Sequence, residues 1–146
     1  MRIEAADYFV AAKERLSEAN LLYEKERYAL AMYIAGVAVE SLLRAYISHI
    51  DKTLEAAHNL KLLWKTSKLR FLVSPAESLQ LDAANSTLFR RWKNDLRYTS
   101  NDRLRRRLKR LKLDRSIRGD FLKENCRNAI EAATSILKVG AAKWQP

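Results

Sequence analysis

The sequence predicts an all-α protein, an up-and-down four-helix bundle with additional short helices. Three observations predict it. Only three Gly and two Pro occur in 146 residues, too few to build the tight turns of an all-β chain. Hydrophobic residues make up 48% of the chain, enough for one sizeable core and too many for a disordered one. Apolar residues recur at three- and four-residue steps along most of its length. The length suits a single domain, residues 1–146.

The first helix is expected from about Glu4 to Lys25. Ala5, Tyr8, Phe9, Ala12, Leu16, Ala19 and Tyr23 form one apolar stripe, with Lys13, Glu14, Glu18 and Glu24 opposite. A short link at Glu26-Arg27 leads to a second helix, Tyr28 to Ile50. There Tyr28, Met32, Ala35, Val39, Leu42, Tyr46 and Ile50 make a bundle seam, and Leu30, Ile34, Val37 and Leu43 a second apolar face. This helix should be central, and its two apolar faces predict a homodimer. Its acid, Glu40, needs a buried cationic partner, most simply Arg44 four residues on, or Arg97.

After Asp51 a shorter helical segment is expected, capped by Thr53, with Leu54, Leu60, Leu62, Leu63 and Trp64 as its apolar set. "SPAE", Ser74 to Glu77, is a helix start: a Ser cap, Pro at the first helical position and Glu closing a capping box. Leu81, Leu88, Trp92 and Leu96 continue that stripe. Ser100 or Asn101 caps a basic helix whose narrow apolar stripe is Leu104, Leu108 and Leu111. The last helix spans about Asp120 to Val139 on Leu122, Cys126, Ala129, Ala133 and Ile136, with Gly140 as its stop.

One cysteine excludes an internal disulfide and a cysteine-rich zinc site. The longest apolar run, Tyr28 to Val39, rises only about 18 Å as a helix against the roughly 30 Å of a bilayer core. No transmembrane segment and a cytoplasmic location are therefore expected. HExxH, GxSxG and phosphate-loop motifs do not occur in the chain. His49 and His58 stand at helix ends, where a structural role outweighs a catalytic one, and Cys126 sits on a core seam. Neither a metal nor a cofactor is expected.

Charge is what the function must explain. The net charge is +11, and thirteen Lys/Arg against three acids between Arg90 and Arg118 put +10 of it in 29 residues. From Arg103 to Lys112, "RLRRRLKRLK" holds seven cations and no acid. A merely solvated helix face mixes both signs, whereas this one repels itself unless an anion is near. A polyanion answers that, because each neutralised phosphate releases counterions. An acidic protein surface is the next candidate. An anionic membrane is the last, since three leucines give only a thin apolar face. Tyr98 and Trp92 are the aromatic candidates for stacking on a base, although Trp92 lies on the leucine stripe and reads as core.

Several stretches together resemble the HEPN family (higher eukaryotes and prokaryotes nucleotide-binding domain). They are the opening "ADYFVAAKERLSEANLLYEKERYALAMYIAG", "AVESLLRAYI" at Ala38 to Ile47, "HNLKLL" at His58 to Leu63, "LRYT" at Leu96 to Thr99, and "NAIEAATSILKVG" near the end. The resemblance implies a helical bundle, commonly dimeric, that acts on or with RNA and nucleotides, several members being toxins of toxin–antitoxin pairs or parts of defence systems. Catalytic members carry Arg, a polar residue, a few spacers and then His, and act as metal-independent ribonucleases. Here Arg97 is followed by "YTSNDRLRRR", without His. "RAYISH", Arg44 to His49, falls on the second helix, where the family does not place its active site.

The leading expectation is thus a non-catalytic HEPN-like domain. It would bind RNA or a nucleotide through Arg97, Tyr98, Arg103, Arg105, Arg106, Arg107, Lys109 and Arg110. The rival is a protein-interaction module pairing with a nucleotidyltransferase or another acidic partner. Third comes a divergent ribonuclease using Arg97, Tyr98 and His58 or His49.

Overall fold

The computed structural model describes residues 2–50 and 58–145. Among them are six α-helices and no strand: α1 (Ala5–Glu24), α2 (Tyr28–Ile50), α3 (Leu60–Ser67), α4 (Pro75–Arg91), α5 (Asn101–Arg110) and α6 (Phe121–Lys143). Tight 3-10 turns at Leu69–Phe71 and Asn94–Tyr98 follow α3 and α4.

The four long helices run up and down. Phe9 and Tyr46 both pack on Trp144, and Tyr23 meets Tyr28 edge-on, so α1 is antiparallel to α2. The Cys126 thiol lies on the Tyr28 carbonyl and the Tyr46 hydroxyl on that of Gly140, so α2 and α6 run parallel. Arg91 reaches Asn125 and Lys143 pairs with Glu77, which sets α4 antiparallel to α6. α2 touches α1, α3, α5 and α6 and holds the centre. Length and composition alone would let α2 cross a membrane, but most of it is packed inside the bundle, the state of a core helix.

Local chemistry sets the helix ends. Ser74 accepts from the Glu77 amide and Glu77 from the Ser74 amide, the reciprocal cap that "SPAE" predicts. Asp120 caps α6. α1 closes with Glu26 in the left-handed region (φ 60°), its amide on the Tyr23 carbonyl and that of Arg27 on Leu22.

Several expectations are corrected. The cap of α3 is Asn59, which accepts from the Leu62 amide, and Leu62 points to solvent. Thr53 and Leu54 lie outside the described residues. α4 stops at Arg91, so Leu96 enters the core from the 3-10 turn. α6 runs past Gly140 to Lys143. Gly140 is there for contact: a Cβ would press on the methyl ends of Leu42, and its carbonyl receives the Tyr46 hydroxyl at 2.5 Å. Burial pushes that phenol up to about 12. On the second face of α2, Leu43 is buried, Ile34 and Val37 are half-buried and Leu30 is exposed.

Gly36, on α2, serves the same purpose. A Cβ there would collide with the indole of Trp92, which stacks near Tyr33 and donates to the Tyr33 carbonyl at 3.0 Å. Trp92 is therefore core, as its stripe suggests. It also pins the point where α4 gives way to the segment carrying Lys93 to Tyr98.

Candidate nucleic-acid interface

α5 begins at Ser100, whose hydroxyl accepts from the Arg103 amide. Asn101 then ties the helix to the α1–α2 turn: its Oδ1 accepts from the Ala29 amide and its Nδ2 donates to the Glu26 carbonyl, both at 3.0 Å. Leu104 and Leu108 are fully buried, one turn apart. Leu111 caps the helix half-buried, and the chain reverses with Lys112 at φ 61°. The amides of Lys112 and Leu113 return to the carbonyls of Lys109 and Leu108. α5 is thus held at both ends and along one seam.

That seam sorts the cations. At 3.6 residues per turn, Arg106 points away from Leu104 and Leu108, and Arg103, Lys109 and Arg110 lie within about 60° of it. All four are exposed. Arg105 and Arg107 flank the seam and are half-buried. Arg105 pairs with Asp102 at 3.0 Å. Arg107 is drawn inward: desolvation holds its guanidinium below the usual range, against the opposing pull of Asp95. The candidates thus divide into an outward quartet and two side groups.

Two other cations of the segment, Arg90 and Arg91, are structural. Arg90 donates to the Leu111 carbonyl at 2.9 Å. Arg91 donates to Asn125, whose own amide reaches the carbonyls of Leu113 and Phe121. These bonds fix the Leu111–Asp120 connection, and burial of the Arg91 guanidinium lowers its pKa.

Arg97 and Tyr98 precede α5 on the 3-10 turn. The Arg97 guanidinium lies 4.7 Å from the centre of the Tyr98 ring, and Tyr98 is 76% exposed. Arg97 is thus not the partner of Glu40. Glu40, only 8% exposed, lies 3.6 Å from Arg44 and accepts from His58 Nδ1 at 2.8 Å. The Glu40–Arg44 pair is as expected; His58 is an addition that periodicity had no means of finding, being 18 residues away. Arg44 and His49 of "RAYISH" are not brought together: His49 packs on Trp144. Cys126 is buried, and burial pushes its thiol up to about 12, the inert state expected of a core residue. Among the described residues, no His, Cys, Asp and Glu cluster with metal-binding geometry.

Comparison with known families decides the wider question: the pattern of the HEPN domain matches residues 5–144. The chain belongs to the HEPN family. No curated protein and no solved structure matches it. The nucleotide- and RNA-associated character that the resemblance implied comes with that membership. In this HEPN domain the family-like "AVES" and "HNLKLL" stretches meet physically, because Glu40 and His58 share a hydrogen bond.

Proposed function

We propose that this HEPN domain binds RNA through phosphate contacts on α5, and that it does so as a binding rather than a hydrolytic member. One observation carries the reading: Arg103, Arg106, Lys109 and Arg110 share one solvent face, and the acid that directly precedes them in the chain, Asp102, is engaged by Arg105. Leu104 and Leu108 hold the opposite side down, so the helix is presented by its packing rather than by the charges. Phosphates position such a ligand without reading its sequence, so binding is sequence-tolerant. Tyr98, exposed and backed by Arg97, offers one ring face to an unpaired base. The homodimer remains part of the proposal, supported by the exposed Leu30 on α2.

Fluorescence anisotropy with a labelled single-stranded RNA tests it. The wild type should bind at low salt. The variant with Arg103, Arg106, Lys109 and Arg110 changed to Gln should lose about a hundredfold or more in affinity, while keeping its helical circular dichroism. Absence of binding by the wild type, together with capture of an acidic protein through the same four residues, would overturn the proposal in favour of a protein-interaction module.

A further inference from the structure

Between positions 59 and 76 the chain carries four cations, Lys61, Lys65, Lys68 and Arg70, and no acid. This stretch is basic, as α5 is, yet the two differ in one respect. The outward face of α5 exposes no apolar side chain, because Leu104 and Leu108 are buried. Here large apolar side chains stand in solvent among the cations. Phe71 is 68% exposed and Leu72 53%. At 3.6 residues per turn, Lys61, Leu62 and Lys65 fall on the half of α3 turned away from the buried Leu60, Leu63 and Ser67, and all three are exposed.

The fold presents these side chains. α3 ends on Lys68, whose backbone turns left-handed at φ 58°. The 3-10 turn that follows closes with the Phe71 amide on the Lys68 carbonyl and the Leu72 amide on that of Leu69, at 3.1 and 2.9 Å. Leu69 is fully buried, and its amide donates to the Ser67 hydroxyl. The turn is thus rooted in the core by Leu69 and holds Phe71 and Leu72 out at its tip. The Arg70 guanidinium lies 4.7 Å from the centre of the Phe71 ring. Phe71 and Leu72 also edge a cleft of about 570 Å³, which the exposed Ile50 and the half-buried Trp144 line with them. No acid lines this cleft; Lys68 does, and so does Lys143, which pairs with Glu77.

Single exposed apolar residues are ordinary on a protein surface. Three around one cleft, bordered by cations of one sign, match an anionic lipid bilayer. Phenyl and aliphatic groups enter the acyl boundary, while Lys and Arg stems lie along it and carry their charges to the headgroups. Each cation near such a surface adds to the attraction. A bilayer also accepts a protruding tip without a groove shaped to receive it. RNA would leave Leu62, Leu72 and Ile50 with nothing apolar to cover them. We propose that the segment 60–72 is a membrane-docking surface, with Phe71 and Leu72 inserted below the headgroups and Lys65, Lys68 and Arg70 on the anionic phosphates. The surface stands apart from α5. Asn101 ties α5 to Ala29 at the start of α2, whereas the cleft meets Tyr46 and Ile50, roughly 25 Å further along that helix. The inference does not rest on the reading of α5.

Vesicle flotation tests it, with vesicles of phosphatidylcholine and phosphatidylglycerol in equal parts and vesicles of phosphatidylcholine alone. The full chain carries the four α5 substitutions to Gln, so that α5 does not adsorb to the anionic surface. This protein should float with the mixed vesicles and partition at least about tenfold less onto phosphatidylcholine alone. Adding Phe71→Ser with Leu72→Ser should lower its partition by about tenfold or more at unchanged melting temperature, both side chains being exposed. Adding Lys65→Gln, Lys68→Gln and Arg70→Gln instead should erase the preference for phosphatidylglycerol. In the otherwise wild-type chain, Phe71→Trp should shift its emission to the blue on mixed vesicles, as an indole entering the acyl boundary does. No flotation, equal flotation after Phe71→Ser with Leu72→Ser, or an unshifted Phe71→Trp emission would each overturn the proposal. Capture of an acidic protein by this surface without flotation would overturn it too, in favour of a protein contact. RNA binding is read separately by anisotropy, so failure here leaves the α5 reading standing.

Discussion

Gly36→Ala sets two opposed effects against each other. In a helix interior, alanine is favoured over glycine by about 1 kcal/mol. Against that stands the indole of Trp92, which occupies the space a Cβ would need. This ring is a poor candidate for yielding. It is 6% exposed, its N–H is committed to the Tyr33 carbonyl, and its residue caps α4. Overpacking of a tight core costs about 1–3 kcal/mol. Loss of a buried N–H partner adds about 1–3 kcal/mol. The steric side wins, and the variant should be less stable by about 2 kcal/mol or more. For a chain of this size that lowers the melting temperature by about 4–8 °C. Gly140→Ala is the internal control, because there the obstacle is the flexible end of Leu42 and the cost should be smaller. Urea unfolding followed by circular dichroism measures both. A Gly36→Ala protein as stable as the wild type, or more so, would refute the claim that Trp92 is seated against α2.

Glu26→Gly should stabilise the fold by about 0.5–1 kcal/mol, since glycine removes the Cβ strain of the left-handed conformation, and thermal melting reads the change. Cys126 should resist a thiol reagent at pH 8 and react only on unfolding, because its pKa near 12 leaves the neutral thiol in the folded state; rapid labelling of the native protein would contradict this burial. Tyr98→Ala should weaken single-stranded RNA binding by about 1–3 kcal/mol with little change in melting temperature, the ring being solvent-exposed.

The elements that were legible in the sequence are those whose signals are local. α2 begins and ends where its apolar seam does, at Tyr28 and Ile50, and Ser74 and Ser100 cap the helices that follow them. What was not legible depends on contacts distant in the chain. Leu96 follows Trp92 at a helical step, so periodicity carries α4 too far; the break comes from Trp92 turning into α2. Gly140 resembles a helix stop, yet it is kept small for Leu42 of another helix. Within the basic segment, the leucine spacing shows which side of α5 is buried. It does not show that Arg90 and Arg91 are spent on the Leu111–Asp120 connection. Nor does any local pattern join Glu40 to His58, which meet only once α2 and the start of α3 are packed together.

The central claim, that the outward cations of α5 are a phosphate-binding face, is tested most directly by the salt dependence of RNA binding. Four phosphate contacts on a single strand predict a slope of about −2.8 for log affinity against log salt, or about a fifty-fold loss between 50 and 200 mM. Replacing Arg103, Arg106, Lys109 and Arg110 with Gln should bring that slope close to zero. A wild-type slope near zero, or one that the four substitutions leave unchanged, would contradict the account.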